Sequence, residues 1–426
     1  MKKKSIILFS SLVLIGLVAV FFPSIKKFSE IRSETRKWNE KWLDHSKIPV
    51  DLGVPELGAT GHVVPSDIKE DMVLGLAGSP WRIESTVIVH AGATVLVEPG
   101  VEVWIAPLAD LQVFGRIMAG GTVDRTIHFR AYSNSLSAAW AGMFFRSDVL
   151  SEFNHVVFEN SQYGAKGVFA TVEWNQCVFK NVREICSGFR SRFVYDGCLF
   201  DYRDYDGSGN INVMKFYRGF ARIENSEFFC PNSDNKVDGI DADYMDQAII
   251  RGNRIWAGEC PNSDAIDLGH GSRDILIENN LIVGFMDKGI SVGEKAHALI
   301  HNNVIANCSM GVGVKDSASA VITNTTFYRN AHAVECYEKV PGLGGGHVEV
   351  DRSITVESRI APQRIDALSE ARYTNTLCDQ ELLEGAHNVQ GSVVFEDAEA
   401  FNFKVKEVRD ASGSLLPPLD GWGATL

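Results

Sequence analysis

From residue 81 onward the chain alternates apolar and polar positions in short runs. The stretch STVIVHAGATVLVEPGVEVWI at 85–105 alternates cleanly and breaks at Ala91-Gly92 and Pro99-Gly100. That is the period-2 pattern of strands with one buried face, punctuated by turns. LQVFGRIMAGG and RTIHFRA continue in the same style, and no stretch between 81 and 350 carries a helical period. The runs also repeat. An apolar residue followed by another five positions later occurs at Phe153/Phe158, Trp174/Phe179, Tyr195/Phe200, Ile223/Phe228, Ile250/Ile255, Ile277/Ile282, Ile300/Ile305 and Ile322/Phe327, at successive spacings of 21, 21, 28, 27, 27, 23 and 22 residues. Asparagines fall inside these pairs at Asn225, Asn253, Asn279, Asn280, Asn302, Asn303 and Asn324. Upstream of the last four recurrences lies another short strand, read as GIDAD, AIDLG, GISVG and GVGVK.

A period of this length with two or three short strands describes one coil of a parallel β-helix. A single coil cannot bury its apolar face alone, so neighbours stack around a shared core. Repeated Asn at one turn suits such a coil, because Asn tolerates the left-handed region and its amide can bond along the stack. Leucine-rich repeats need a leucine consensus that is missing, and a propeller blade needs about forty residues. CPNSD, at 230–234 and again at 260–264, then reads as one turn visited on adjacent coils.

These features resemble the right-handed parallel β-helix proteins of the pectate-lyase-like superfamily, over about residues 80 to 400. The run AGATVLVEPGVEVWIAPLADLQVFGRIMAGGTVDRTIHF is similar to their opening coils, and NVQGSVVFEDAEAFNFKVKEVRDASG to their closing coil. The resemblance implies an all-β right-handed solenoid and a ligand surface on the outward face of stacked strands. Members of the superfamily cleave or epimerise polysaccharides. The Asp-Pro-His-Asp signature of mannuronan epimerases is absent, and no arginine lies in the columns described next, although pectate-lyase relatives use one as base.

Aligning the upstream strands puts Asp241, Asp267, Ser291, Gly313 and Glu335 in one column, and Asp243, Gly269, Gly293, Lys315 and Tyr337 in the column two residues on. Strand alternation sends the residues between them inward and these outward. Tyr244, His270, Glu294, Asp316 and Glu338 lie just beyond. Clustered carboxylates, with Asp241, Asp243 and Asp267 as candidate ligands, could hold Ca²⁺. Lys288, Glu294, Lys315, Asp316 or His270 could supply acid and base, and Asp241, Asp243, Tyr244, Glu335 and Tyr337 could bind substrate. Two carboxylates could alternatively run glycoside hydrolysis. Against this stands a plainer account, in which Asp and Gly form turns and the ladder is a non-catalytic scaffold for envelope glycans or partner proteins. Cys230 and Cys260, on adjacent coils, could form a disulfide outside the cytosol, and Cys177 and Cys198 also fall in register.

The amino terminus changes the setting. Met1-Lys2-Lys3-Lys4 precedes an apolar run over 6–22, followed by Pro23 and two lysines. About 17 residues at 1.5 Å each just cross a hydrocarbon core. No small-residue cleavage site follows, which favours an uncleaved anchor over a secreted product of signal cleavage. The basic end would stay cytoplasmic. The expected organisation is an anchor at 1–27, a charged juxtamembrane helix or spacer and linker at 28–72, a β-helix at 73–405 and a tail at 406–426. A bacterial inner membrane with the β-helix in the periplasm or outside fits best. The net charge of −13 argues against a nucleic-acid partner, which needs a basic footprint.

Overall fold

The computed structural model describes residues 61–426, apart from 133–137, 204, 206–209, 233–235, 259, 418–420 and 425–426. The expected anchor and the juxtamembrane segment to residue 60 lie outside the described residues. Among those described, no helix is long and apolar enough to cross a membrane.

The chain winds as an all-β parallel solenoid of about 13 turns. The coils from Val237 onward contribute three short strands to three stacks, while Val156–Val168, Val178–Asp196 and Ile211–Glu224 run continuously from one stack into the next. The first stack includes Val237–Asp243, Asp264–Gly269, Lys288–Val292, Met310–Lys315 and His332–Tyr337, paired in parallel. The second includes Gln247–Arg251, Ile275–Glu278, His297–His301 and Ser319–Thr323. The third includes Arg254–Trp256, Leu281–Val283, Val304–Ala306 and Thr326–Tyr328. The sequence period matches this register at every step, since Phe153 pairs Trp174, Trp174 pairs Tyr195, and the series runs on through Ile223, Ile250, Ile277, Ile300 and Ile322.

These residues hold the coils together from inside. Trp174 and Tyr195 stack at 4.4 Å, Phe158 and Phe179 at 4.8 Å, and Phe179 and Phe200 at 5.4 Å. Each stacked pair is worth about 0.5–1.5 kcal/mol beyond the burial of its area. The asparagines separate into two neighbouring columns. Asn253, Asn280 and Asn303 are buried; Asn253 Nδ2 donates to Asn280 Oδ1 and Asn280 Nδ2 to Asn303 Oδ1 at 3.0 Å each, and Ser226 N donates to Asn253 Oδ1 at 3.0 Å. One position earlier, Asn225, Gly252, Asn279, Asn302 and Asn324 take the left-handed conformation at the corner between the second and third stacks.

The expected closing coil is instead a hairpin. Val389–Asp397 and Asn402–Asp410 pair antiparallel. Phe395, Phe401 and Phe403 pack with Tyr328 and Trp256 on the outer face of the third stack, which is apolar at Leu281, Val304, Ile354 and Leu377. The strand Asn402–Asp410 runs across the expected boundary at 405. The first stack is left with its polar face outward.

Candidate functional site

On the first stack, Lys215, Asp241, Asp267, Ser291, Gly313 and Glu335 share one outward column. Tyr217, Asp243 and Gly269 lie two residues on, where Lys315 pairs Tyr337 on later coils. The intervening Phe216, Ala242, Leu268, Val292, Val314 and Cys336 are buried. The two columns therefore stand as their alternation requires. At about 4.8 Å per coil, Asp241 and Glu335 are about 19 Å apart, so the column is a track and not a single pocket.

Lys215 sits at the head of this track. Its ammonium lies 2.5 Å from Asp241 and 3.2 Å from Asp243, and Asn212 Nδ2 also donates to Asp241 at 2.5 Å. Burial raises the Asp241 carboxyl to about 7 against the pull of Lys215. The expected Ca²⁺ ligands Asp241, Asp243 and Asp267 thus have a lysine where a cation would bring charge. Among the described residues no group of three or more His, Cys, Asp or Glu is placed to hold a metal ion.

Two buried lysines follow. Lys315 Nζ donates to Ser291 Oγ and lies 3.9 Å from Asp267. Burial lowers its pKa, while Lys315 and Ser291 hold the Asp267 carboxyl below its ordinary range despite burial. Lys288 pairs with Asp287 at 2.5 Å and Asp264 at 3.4 Å, and these carboxylates raise its pKa although burial works against the charge. Burial lifts Asp264 to about 7. Glycines make room for both stems. A Cβ at Gly313 would stand 2.8 Å from Lys288 Cδ, and one at Gly293 would stand 2.9 Å from Lys315 Cε. Gly293 and Gly313 are therefore cradles for lysine side chains lying along the wall, while a Cβ at Gly269 would meet Asp243.

The other candidate residues do not converge with these. Glu335 is fully buried against Arg364, and Tyr337 is a half-buried phenol whose pKa burial raises. Asp316 Oδ1 accepts from Lys339 N and Val340 N at 2.8 Å each, which pins the loop that follows the next coil. Its Oδ2 is buried without a hydrogen-bond partner. Cys230 and Cys260 are both buried and free; Cys230 falls in register with Ala257, and Cys260 Sγ donates to the Pro231 carbonyl at 2.8 Å.

Tyr244, His270, Glu294 and Asp316 occupy the corner after the first stack, and all four take left-handed φ values of 51–55°. Tyr244 stacks on His270 at 5.0 Å, and His270 Nδ1 meets the Glu294 carboxylate. His270 Nε2 lies 3.9 Å from Asp243, linking the corner to the track. A surface cavity of about 290 Å³ opens here, lined by Tyr244, His270, Glu294, Lys295, Asp316 and Leu343. Sequence reasoning missed Lys215, although its place 26 residues before Asp241, between inward Met214 and Phe216, repeats the coil length.

Residues 204–379, less than half of the chain, match the family model described as periplasmic copper-binding protein (NosD). Among solved structures, a PL6 family alginate lyase, AlyGC, superposes with a TM-score of 0.50 at 12% identity, over 86% of this chain and 54% of that one. The chain is a right-handed parallel β-helix protein. The β-helix spans about half the length of that lyase structure. A second alginate lyase, AlyF, is similar at 10% identity with a TM-score of 0.38, over 90% of this chain and 95% of that one. Tailspike protein 3 of bacteriophage CBA120 gives 10% identity and 0.36, over 76% of this chain and 64% of that one. No curated protein matches by sequence. Among the described residues no group of three or more His, Cys, Asp or Glu is placed to hold copper; the eight cysteines are all buried, and burial pushes the thiols of Cys230, Cys308 and Cys336 up to about 12.

Proposed function

We propose that the protein is an extracytoplasmic polysaccharide-binding β-helix that modifies its ligand by proton transfer on the outward face of the first stack. One observation carries this reading. Lys315 is buried and Asp241 half-buried on this wall, with pKa values moved toward neutrality, Lys315 downward and Asp241 up to about 7. A surface that only had to stay soluble would leave such groups hydrated, where they keep ordinary pKa values. Lys315, held by Ser291 and Asp267, is the group best suited to take a proton, and Asp241 the group best suited to give one. Elimination or epimerisation beside a uronate carboxylate needs both, and the alginate lyases among the structural neighbours make that chemistry worth testing first. The copper in the matched family's description is not carried over.

The second reading, a non-catalytic glycan or protein scaffold, draws support from Lys288, Glu335 and Asp316, whose charges are taken up within the wall. Anchoring through 1–27, a spacer from residue 28 up to the first coil, whose strands begin at His62–Val63, and a periplasmic or extracellular site for the solenoid complete the proposal. The test incubates the purified chain with neutral and uronate polysaccharides and follows each by proton NMR. New unsaturated, reducing-end or epimerised signals that vanish in Lys315→Met support catalysis. Binding without any product, across uronates of differing linkage, favours the scaffold.

A further inference from the structure

The corner beside the cavity extends well beyond the four residues named above. Seven successive coils pass through it in the left-handed conformation, at Phe169, Arg190, Arg218, Tyr244, His270, Glu294 and Asp316, with φ of 49–60°. Register makes them one column, because Val168 pairs Phe189, Phe189 pairs Tyr217 and Tyr217 pairs Asp243, each one residue before the corner. Left-handed backbone favours Gly and Asn, and large side chains there are uncommon. Large side chains also take this conformation at the corner between the second and third stacks, at His155, Gln176 and Arg352, so what sets this column apart is its unbroken run over seven coils and the rings and arginines beside it.

They face outward as a ladder of rings and guanidinium groups. Phe169 packs edge-on to Phe189 at 6.0 Å, Phe189 stacks on Tyr217 at 5.8 Å, Tyr217 meets Tyr244 at 5.1 Å, and Tyr244 stacks on His270 at 5.0 Å. Phe189 is buried and props the row from beneath, while Phe169 is 47% and Tyr244 36% exposed. The Arg218 guanidinium lies 4.9 Å from the Tyr244 ring centre, and Arg190 lies 5.7 Å from that of Phe189. Arg190 makes no ion pair among the described residues, in a chain whose net charge is −13. At the other end of the row, the cavity of about 290 Å³ offers Glu294 and the buried, unpartnered Oδ2 of Asp316.

We propose that this corner is a binding track for a linear anionic glycan lying along the solenoid axis. One sugar unit sits in the cavity, with hydroxyls donating to Glu294 and Asp316. The following units run toward the earlier coils, rings against Tyr244, Tyr217 and Phe169 and acidic groups against Arg218 and Arg190. Coils rise by about 4.8 Å, close to the length of one sugar unit, so the ladder can follow the polymer unit by unit. The inference rests on the polysaccharide reading and adds to it the ligand's course, from the cavity along the corner to Phe169, and the arginines that would read its acidic groups.

The test is calorimetric titration of the full chain with uronate oligosaccharides of two to six units, their carboxyl-reduced neutral counterparts, and a single-stranded DNA oligonucleotide. Affinity should rise with uronate length and fall about tenfold or more in Arg190→Gln and in Arg218→Gln. It should be largely restored in Arg218→Lys, with the reduced oligomers insensitive to all three. Circular dichroism melts of the variants check that folding is intact. Uronate binding that ignores both arginines overturns the track and leaves the polysaccharide reading standing. Failure of every oligosaccharide to bind overturns both. Tighter binding of the oligonucleotide replaces the glycan by a nucleic acid and overturns the ligand class.

Discussion

Two corners of the same solenoid solve one backbone problem with different residues. Between the second and third stacks, six successive coils take the left-handed turn at Gly197, Asn225, Gly252, Asn279, Asn302 and Asn324, with His155 and Gln176 before them and Arg352 after. After the first stack, the same conformation is held by Arg190, Arg218, Tyr244, His270, Glu294 and Asp316. Asn and Gly enter that region at little cost, whereas other side chains give up about 1–2 kcal/mol each. The Asn corner is therefore chosen by the fold. It also bonds along the stack, as Asn302 Nδ2 donates to Asn279 Oδ1 at 2.7 Å. The other corner is held against backbone preference, beside the cavity and the buried lysines, so its residues answer to what lies outside the fold.

Substitutions can break this contrast, and the largest effect belongs on the structural side. Asn280 Oδ1 accepts from Asn253 N at 2.9 Å and its Nδ2 donates to the Ile250 carbonyl at 2.9 Å, all buried. Asn280→Leu strands both backbone groups and should cost about 2–5 kcal/mol, read as a lowered denaturation midpoint. Loss of less than about 0.5 kcal/mol would mean the ladder is incidental.

On the functional side, Lys315→Met leaves Asp267 without its cation and should cost about 1–3 kcal/mol of stability, less than a fully buried broken pair because Asp267 is still partly exposed. Any turnover found should fall by about 100-fold or more. Equal losses of stability and turnover would assign the lysine to the fold.

A third effect appears with pH. The Asp241 carboxyl has a folded pKa of about 7, above its unfolded value, so its stabilising contribution is complete in acid and disappears as pH rises through 7. Asp241→Asn should flatten the decline in stability between about pH 4 and 8, by on the order of 2–4 kcal/mol across that window. Asp267, whose pKa is depressed, runs the other way, stabilising above its unfolded pKa and losing that contribution as pH falls through the folded one. An unchanged slope in Asp241→Asn would place its proton equilibrium elsewhere.

The sequence carried the solenoid plainly because its period is written in large inward side chains. Trp174, Tyr195, Ile223 and Ile250 have to pair with one another to close the core, and no other register buries them all. The polar columns followed, since alternation leaves Asp241 and Asp267 outward once Ile240, Ala242, Ile266 and Leu268 are inward. What each outward residue does was not legible. Lys288 and Lys315 look alike in sequence, yet one lies between two carboxylates and the other beside a single carboxylate and a serine. Asp316 was grouped with the chemistry, but one oxygen fastens a loop 23–24 residues later through main-chain bonds that leave no pattern in composition. The terminal hairpin was misread for a similar reason: alternation fixes which face of a strand is apolar, not whether its neighbour runs parallel.

The smallest effect is also the most direct test. Changing Arg190, Arg218 and Tyr244 together to Asn gives this corner the residue type of the other one. If these side chains serve a ligand and not the fold, the thermal midpoint should stay at or above that of the parent chain, the relief of left-handed strain offsetting the lost ring contacts. A clear fall in the midpoint would contradict the account, because it would make the ladder of rings and arginines a structural device.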